Sequence, residues 1–271
     1  MSFFINGIML SLDNENQVIN IAKSAGKEIL KIYNKIYSVN FKEDSSPLTE
    51  ADIKSHNLIT KELKKFFPDI KIISEESKLD QDRHNWDTYW LIDPLDGTKE
   101  FINRNDEFTV NIALIHNNKP FWGVVYAPAL DVIYWGGQGI SKKQLKNNPP
   151  QTIKTSNKTK KQNYKVVGSR SHQSKDFSDF ISRFVEPEIV SMGSSLKLCM
   201  VAEGMADIYP RFGLTSEWDT AAAHAVVNGS GGEVVEIDSF NQLKYNKEES
   251  ILNPFFIVGA RGILEDIKKY L

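Results

Sequence analysis

A chain of 271 residues, 41% hydrophobic and 25% charged, is long enough to bury one large core or two modest ones, and no internal repeat divides it. Its formal charge of −2 excludes a nucleic-acid platform, since a long polyanion needs a basic surface from which counterions are released. The single cysteine, Cys199, excludes an intrachain disulfide, and its apolar neighbours Leu198, Met200, Val201 and Ala202 mark a buried structural thiol rather than a nucleophile.

Met1 to Leu12 is apolar but has no basic start, no long core and no small-residue cleavage site, so neither a signal peptide nor a membrane span is expected there. Val18, Ile19, Ala22, Ala25, Ile29, Ile32 and Tyr33 recur at three- and four-residue intervals and predict an amphipathic helix. A second helix is expected from an N-cap at Thr49 through Ile53, Ile59 and Leu63 to Phe66, stopped by Pro68, with Asp52 in its first turn. The runs 108–115 and 121–127, separated by the polar turn 116–120, predict a β-hairpin, with a further strand over 131–135. The Lys-, Asn- and Pro-rich stretch 142–162 is expected to be an exposed connection between an N-terminal α+β portion, 1–141, and a C-terminal α/β portion, 163–271, the two forming one compact catalytic unit. In the second portion strands are predicted over 165–168, 189–192, 233–237 and 255–258, and helices over 195–204 and 220–228.

Three acidic sites interrupt this pattern. Ile72-Ile73-Ser74 is a short β-branched run ending in Glu75 and Glu76, and carboxylates at the ends of two neighbouring strands converge. Trp90-Leu91-Ile92 runs into Asp93-Pro94-Leu95-Asp96-Gly97-Thr98, where Pro94 stiffens a turn that directs both acids to one point and frees the Leu95 carbonyl as an oxygen ligand for a hard cation. Gly97 and Thr98 can then offer N–H groups, and Thr98 a hydroxyl, to an anion beside it. Asp219 stands in the first turn of the Ala-rich helix, where the helix dipole favours an acid and simple N-capping is the ordinary role. A capped turn is equally the commoner fate of Asp-x-x-Asp-Gly. Capping explains each acid separately but not all three together.

Two glycine clusters, 136–139 and 229–232, have neither a P-loop lysine nor a dinucleotide-binding context and are read as turns. His224, one turn beyond Asp219, is expected to be packed or hydrogen-bonded, because oxygen-rich sites have little use for imidazole.

Asp52, Glu75-Glu76, Asp93 to Thr98 and Trp218 to Ala222 resemble, in order and spacing, the magnesium-dependent, lithium-sensitive phosphatases related to inositol monophosphatase. The runs 44–52, 93–101 and 108–115, Gly193-Ser194-Ser195-Leu196-Lys197 and Tyr209-Pro210-Arg211-Phe212-Gly213 narrow the resemblance to the bacterial 3'(2'),5'-bisphosphate nucleotidases of the CysQ type, over most of the chain from Val18 to Gly259. The resemblance implies a layered α/β sandwich of alternating helix and sheet layers, with the metal site between the two portions. It implies one Mg²⁺ on Glu75, Asp93 and the Leu95 carbonyl, a second on Asp93, Asp96 and Asp219, and a third, weaker ion near Glu75 through water. Asp52 and Thr98 are then expected to orient and deprotonate the attacking water, with Glu75 assisting and Glu76 standing behind the ligands.

For the substrate, the resemblance implies that Ser194, Lys197 and Arg211 hold the nucleotide and its second phosphate, with His172 in the run 169–172 at a compatible place. Gly97, Thr98 and Asp219 would face the phosphate that is cleaved. Lys197 follows Ser194 by three residues, so both are expected on one helix face, with Arg211 arriving from the next strand. The implied reaction is hydrolysis of adenosine 3',5'-bisphosphate to AMP and phosphate in sulfur assimilation, with the sulfated analogue as a second substrate. An inositol or sugar monophosphate phosphatase and a non-catalytic metal- and nucleotide-binding regulator are the alternatives. The implied setting is cytoplasmic, with peripheral attachment to the inner membrane and oligomeric state left open. Leu214 and Ala223 depart from the pattern, where proline and glycine are usual, without touching an expected ligand.

Overall fold

The computed structural model describes residues 3–5, 8–34, 50–158, 163–168 and 174–269. A short hairpin, β1 (Phe3–Ile5) and β2 (Ile8–Leu10), precedes helix α1 (Leu12–Tyr33). Ser11 caps α1 by accepting from the Asn14 N–H at 3.2 Å, and the apolar stripe read from the sequence is the face it buries. Helix α2 (Glu50–Phe66) buries Ala51, Asp52, Ser55, Ile59 and Leu63. That stripe carries an acid and a hydroxyl at its N-terminal end, where packing alone would have placed apolar groups. The expected N-cap, Thr49, lies outside the described residues, as does most of the run 44–52.

The chain then builds a seven-stranded sheet from β3 (Lys71–Ser74), β4 (Thr88–Asp96), β5 (Thr109–His116), β6 (Lys119–Ala127), β7 (Val132–Gly137), β8 (Ile140–Leu145) and β9 (Gln151–Ile153), paired in chain order. Only β3 and β4 run parallel. A six-residue helix, α3 (Thr98–Asn103), follows β4. The 116–120 turn is tighter than the sequence suggested: His116 pairs with Lys119, so only Asn117 and Asn118 make the loop, both left-handed at φ 49° and 61°. This is the twist-matched two-residue turn, and asparagine tolerates its backbone. Gln138 and Gly139 close the β7–β8 hairpin in the same way, as the turn reading of that glycine cluster expects.

The second sheet has five strands in the order β11 (Glu188–Ser191), β10 (Lys165–Gly168), β12 (Ile208–Arg211), β14 (Phe256–Ala260) and β13 (Gly232–Glu236). Helices α4 (Lys175–Ile181), α5 (Leu196–Ala202), α6 (Glu217–Gly229) and α7 (Arg261–Ile267) complete the fold. The stretch 142–162 is not a plain connection. Lys142 to Leu145 and Gln151 to Ile153 extend the first sheet, Ile153 is buried, and residues 159–162 lie outside the described set. At the margin of the sheet, where β9 is the edge strand, a lysine-bearing segment such as β8 can pair while its side chains stay partly in water, so composition alone misleads there.

Five layers result. Alternate residues of the large sheet divide between two cores: Trp90, Ile92, Ile112 and Val124 face α1 and α2, whereas Tyr89, Leu91, Ala113 and Val125 face α5 and α6. The five-stranded sheet closes that central layer with Val167, Tyr209 and Val258 and packs its other face, through Val166, Ile208 and Ile257, on Phe177, Phe180 and Ile263. The close approach of α6 to β6 depends on small residues. A Cβ built on Gly123 would stand 2.4 Å from the Ala222 carbonyl oxygen, so the backbones meet there with no room for a side chain. Period-two alternation has one consequence for function: Asp93, Thr109 and Asn111 fall on the face turned toward α5 and α6.

Candidate active site

β3 and β4 pair in parallel, with Ser74 beside Ile92, and the Glu75 N–H continues the ladder by donating to the Ile92 carbonyl at 3.2 Å. Glu75 and Asp93 therefore leave the sheet at the same edge. Pairing with β5 slips between Asp93 and Asp96, so the turn around Pro94 bulges from the sheet. Asp93, 1% exposed, accepts the Leu95 N–H at 3.1 Å, and the Ser55 hydroxyl of α2 caps the Pro94 carbonyl at 2.7 Å. That bond ties the turn to the helix bearing Asp52. Gly97 takes a left-handed φ of 87° and leads into α3, whose first described backbone acceptor is the Gly97 carbonyl, receiving from Phe101. Thr98 points its hydroxyl at the Leu95 carbonyl over 3.5 Å, a loose contact.

Across the cleft, α6 begins with Asp219 accepting the Ser216 N–H at 2.9 Å. Capping and clustering thus coexist in one side chain. Burial, then the negative charge of Asp96, pushes the Asp219 carboxyl up to about 8, with Glu75 adding to the rise. Asp93 is driven well above the carboxylate range by burial and by Glu75, Asp96 and Asp219. Glu75 rises to about 7 through desolvation, with Asp96, Asp52 and Glu76 pushing the same way, and Glu76 rises to about 7 through burial and Asp52. Repulsion of this kind means that Asp52, Glu75, Glu76, Asp93, Asp96 and Asp219 lie within electrostatic reach of one another.

The acids are not in ready-made ligand geometry. Among the described residues no three His, Cys, Asp or Glu side chains stand close enough to hold one ion. Their oxygens have other partners: Asp96 Oδ2 receives the Ser194 hydroxyl at 2.5 Å, the Ser195 N–H at 2.6 Å and the Ser195 hydroxyl at 2.7 Å. All the donors are nonetheless hard oxygens whose charges a divalent cation would neutralise, so the residues present fit Mg²⁺ rather than a softer metal.

The five-stranded side supplies the opposite charge. Asp96, Asp219, Ser194, Lys197, Tyr209 and Arg211 line one cleft of about 230 Å³. Lys197 donates to the Ser194 carbonyl at 2.6 Å and lies 5.8 Å from the centre of the Tyr209 ring. Burial lowers its pKa and Arg211 lowers it further, against the pull of Asp96. Arg211 donates Nη2 to the Leu214 carbonyl at 3.0 Å, while its buried Nε has no partner among the described residues. Two neighbouring cations on one cleft, one with an unpaired donor, suit a second anion. Ser194 is not on a helix face with Lys197 as expected: it has φ 52° and precedes α5, so the two meet through the turn that enters the helix. His172 lies outside the described residues.

His224 is buried, contacts the Tyr245 hydroxyl at 2.9 Å through Nδ1 and is pushed down to about 3 by burial, a packed group rather than a ligand. Cys199 is buried, and desolvation raises its thiol well above the usual range, as a structural thiol requires. Several residues at the site escaped sequence reasoning. Thr109 and Asn111 hold Ser194 and Ser195, and Glu217 accepts the Asn246 N–H with both oxygens at 2.8 Å, fixing the start of α6. The available signal for the first pair was two polar residues spaced by two in an otherwise apolar strand, which puts them on one buried face. Glu217 and Asn246 gave no signal, since their contact spans the chain from 217 to 246.

The model of the inositol monophosphatase family matches residues 14–266, and the chain belongs to that family. Within it, the chain is 44% identical to the 3'(2'),5'-bisphosphate nucleotidase CysQ of Salmonella typhimurium over 254 residues, 89% of this chain and 98% of that protein. The CysQ of Escherichia coli K12 is also 44% identical, over 90% of this chain and 98% of its own. The crystal structure of CysQ from Bacteroides thetaiotaomicron superposes with a TM-score of 0.81 at 40% identity, covering 92% of this chain and 97% of that one. An inositol monophosphatase from Thermotoga maritima superposes at 0.74 with 26% identity, covering 95% and 96%. The layered α/β sandwich expected from the sequence is thus the fold observed. Among the described residues no helix is long and apolar enough to cross a membrane.

Proposed function

We propose that the protein is a phosphoric monoester hydrolase that removes the 3'-phosphate of adenosine 3',5'-bisphosphate, giving AMP and phosphate, and acts on the sulfated analogue as well. The observation that carries this reading over a simple monophosphatase is the cleft in which Lys197 and the unpartnered Arg211 Nε stand beside Asp96 and Asp219. A monophosphate has no use for that second cationic site. The bisphosphate nucleotidases similar to the chain over nine-tenths of its length support the same choice.

Glu75, Asp93 and the Leu95 carbonyl would hold one Mg²⁺, and Asp93, Asp96 and Asp219 a second, with a third held through water near Glu75. When bound, the ions polarise the scissile phosphate and lower the pKa of the attacking water. Asp52, buried at the start of α2, and Thr98, whose hydroxyl is only loosely engaged, orient that water and take its proton. The N–H groups of Gly97 and Thr98 face the transferred phosphate, while Ser194, Lys197 and Arg211, with His172 from 169–172, hold the other one. Glu76 keeps Asp52 company without reaching the phosphate. Because Asp219, Lys197 and Arg211 come from the C-terminal portion and the remaining acids from the N-terminal one, the two work as a single catalytic unit. Phosphate release from adenosine 3',5'-bisphosphate, inositol 1-phosphate and fructose 1,6-bisphosphate, compared at equal Mg²⁺, tests the assignment. Equal or better turnover of inositol 1-phosphate would overturn it.

A further inference from the structure

The structure assigns Ser195 a positioning role: its hydroxyl holds Asp96 in register with the start of α6 and links cation binding at Asp96 to the anion side of the cleft. The linkage builds on the reading of that cleft as a bisphosphate site, whereas the positioning of Asp96 stands without it.

Ser195 is 2% exposed and sits where three elements meet. Its Oγ receives the Asn111 side-chain N–H from β5 at 2.8 Å and lies 2.7 Å from Asp96 Oδ2 and 2.6 Å from the Asp219 backbone carbonyl. A serine hydroxyl has one proton, so it serves one of those two acceptors at a time. The carboxylate is the stronger acceptor while it carries its charge, and the carbonyl is the alternative once that charge is engaged elsewhere. With the Ser194 hydroxyl and the Ser195 N–H on the same oxygen, Oδ2 is committed. Oδ1 is then the oxygen that can meet a cation, and its direction is set by the Ser194-Ser195 turn.

The other side of that turn faces the anion site. The Ser194 carbonyl accepts Lys197 Nζ at 2.6 Å, and Ser194 holds a left-handed φ of 52°. Thr109 braces the turn, its hydroxyl 2.6 Å from the Ser194 hydroxyl and 3.0 Å from Asn111 Oδ1, with one proton to serve one of the two at a time. A phosphate that draws Lys197 away frees the Ser194 carbonyl, and a cation that draws Asp96 frees the serine protons. Both ligands thus act on the same two residues, and coupling of this kind is reciprocal.

The test compares Ser195→Ala with Ser230→Ala, which removes another buried hydroxyl, bonded to the Val227 carbonyl at 2.8 Å at the far end of α6. The readout is the thermal unfolding midpoint as a function of Mg²⁺ without nucleotide, repeated with adenosine 3',5'-bisphosphate in Ca²⁺ and in EDTA, alongside kcat at saturating Mg²⁺. Loss of a partner that orients a ligand typically costs 10–100-fold in metal affinity, so the Mg²⁺ concentration at half-maximal shift should rise by about that factor in Ser195→Ala and stay unchanged in Ser230→Ala. Turnover should return at saturating Mg²⁺, and the extra stabilisation that nucleotide and cation give together should shrink. Equal loss of stability in both variants with unchanged Mg²⁺ dependence would leave Ser195 merely structural and overturn the inference, as would turnover that no Mg²⁺ restores. Ser195→Cys, nearly isosteric but a weak donor, gives the same reading should the alanine variant not fold. If the wild-type protein fails to cleave the bisphosphate, the functional assignment falls while the Mg²⁺ comparison still decides the role of Ser195.

Discussion

The two walls of the cleft solve opposite electrostatic problems with different architecture. The wall built on β3 and β4 crowds like charges at a sheet edge, where register makes Glu75 and Asp93 neighbours and a bulge turns Asp96 back toward them. The wall built on α5, β12 and the start of α6 holds two half-buried cations, Lys197 and Arg211, with few fixed partners. The first wall is unstable until a cation enters, the second until an anion does. A bisphosphate whose one phosphate meets a cation held by the acids, and whose other phosphate meets Lys197 and Arg211, would engage both, and the two walls should then be separable by substitution.

The largest effect is expected at Asp93, the acid common to both expected ions. Asp93→Asn should abolish phosphate release, a loss beyond the 10–100-fold that changes in outer partners alone typically bring. Measurable turnover at any Mg²⁺ concentration would detach the acidic wall from catalysis. Thr98→Ala should lower kcat by about 10²-fold with little change in Mg²⁺ requirement, because positioned proton transfer contributes that much. Combined with Asp52→Asn it should be little worse than either change alone, and multiplicative losses would contradict a shared relay.

On the cationic wall, Lys197→Ala and Arg211→Ala should each cost about 10- to 100-fold in kcat/KM for adenosine 3',5'-bisphosphate, and leave hydrolysis of a simple monophosphate nearly untouched. Proportional loss for both substrates would merge the two walls into one. The pH dependence sharpens the contrast further. Asp219, at about 8, and Glu75, at about 7, lie above their ordinary carboxyl values in the folded state, so the metal-free protein gains stability from their protonation below about pH 4 and loses it as pH rises toward 8. Mg²⁺ should therefore raise the melting temperature more at pH 8 than at pH 5.5, and a shift independent of pH would remove the repulsion argument. The smallest effect on chemistry is expected at Gly123→Ala, which pushes β6 from α6 and should cost about 1–3 kcal/mol of stability with the Mg²⁺ requirement preserved.

Much of the acidic wall was legible because strand ends and turns are local. An apolar run ending in Asp93-Pro94-Leu95-Asp96 announces both its geometry and its exit from the sheet, and the stripe of α1 announces its core. The Ala-rich start of α6 likewise marked Asp219, although the same residues also described an ordinary cap, and the structure shows that cap in place. Less was legible of the cationic wall. Ser194 and Lys197 suggested a shared helix face, whereas a left-handed residue places one outside the helix. The polar stretch 142–162 hid most of β8 and the edge strand β9, because pairing at the margin of a sheet needs neither apolar alternation nor a buried face.

The sequence by itself determined the periodicities, the hairpin, the acids and, through its resemblance, the family, since each of these is written within a few residues or in a run of motifs. Only the tertiary structure decided which acids repel one another, that Asn111 reaches Ser195, and that Ser195 stands between Asp96 and the Asp219 carbonyl. The Ser195 contacts join residues 24 to 99 positions apart in the chain and depend on how the two sheets close around α5 and α6. No local pattern encodes that closure. It follows from burying the central core as a whole, in which each partner's position is set by all the others.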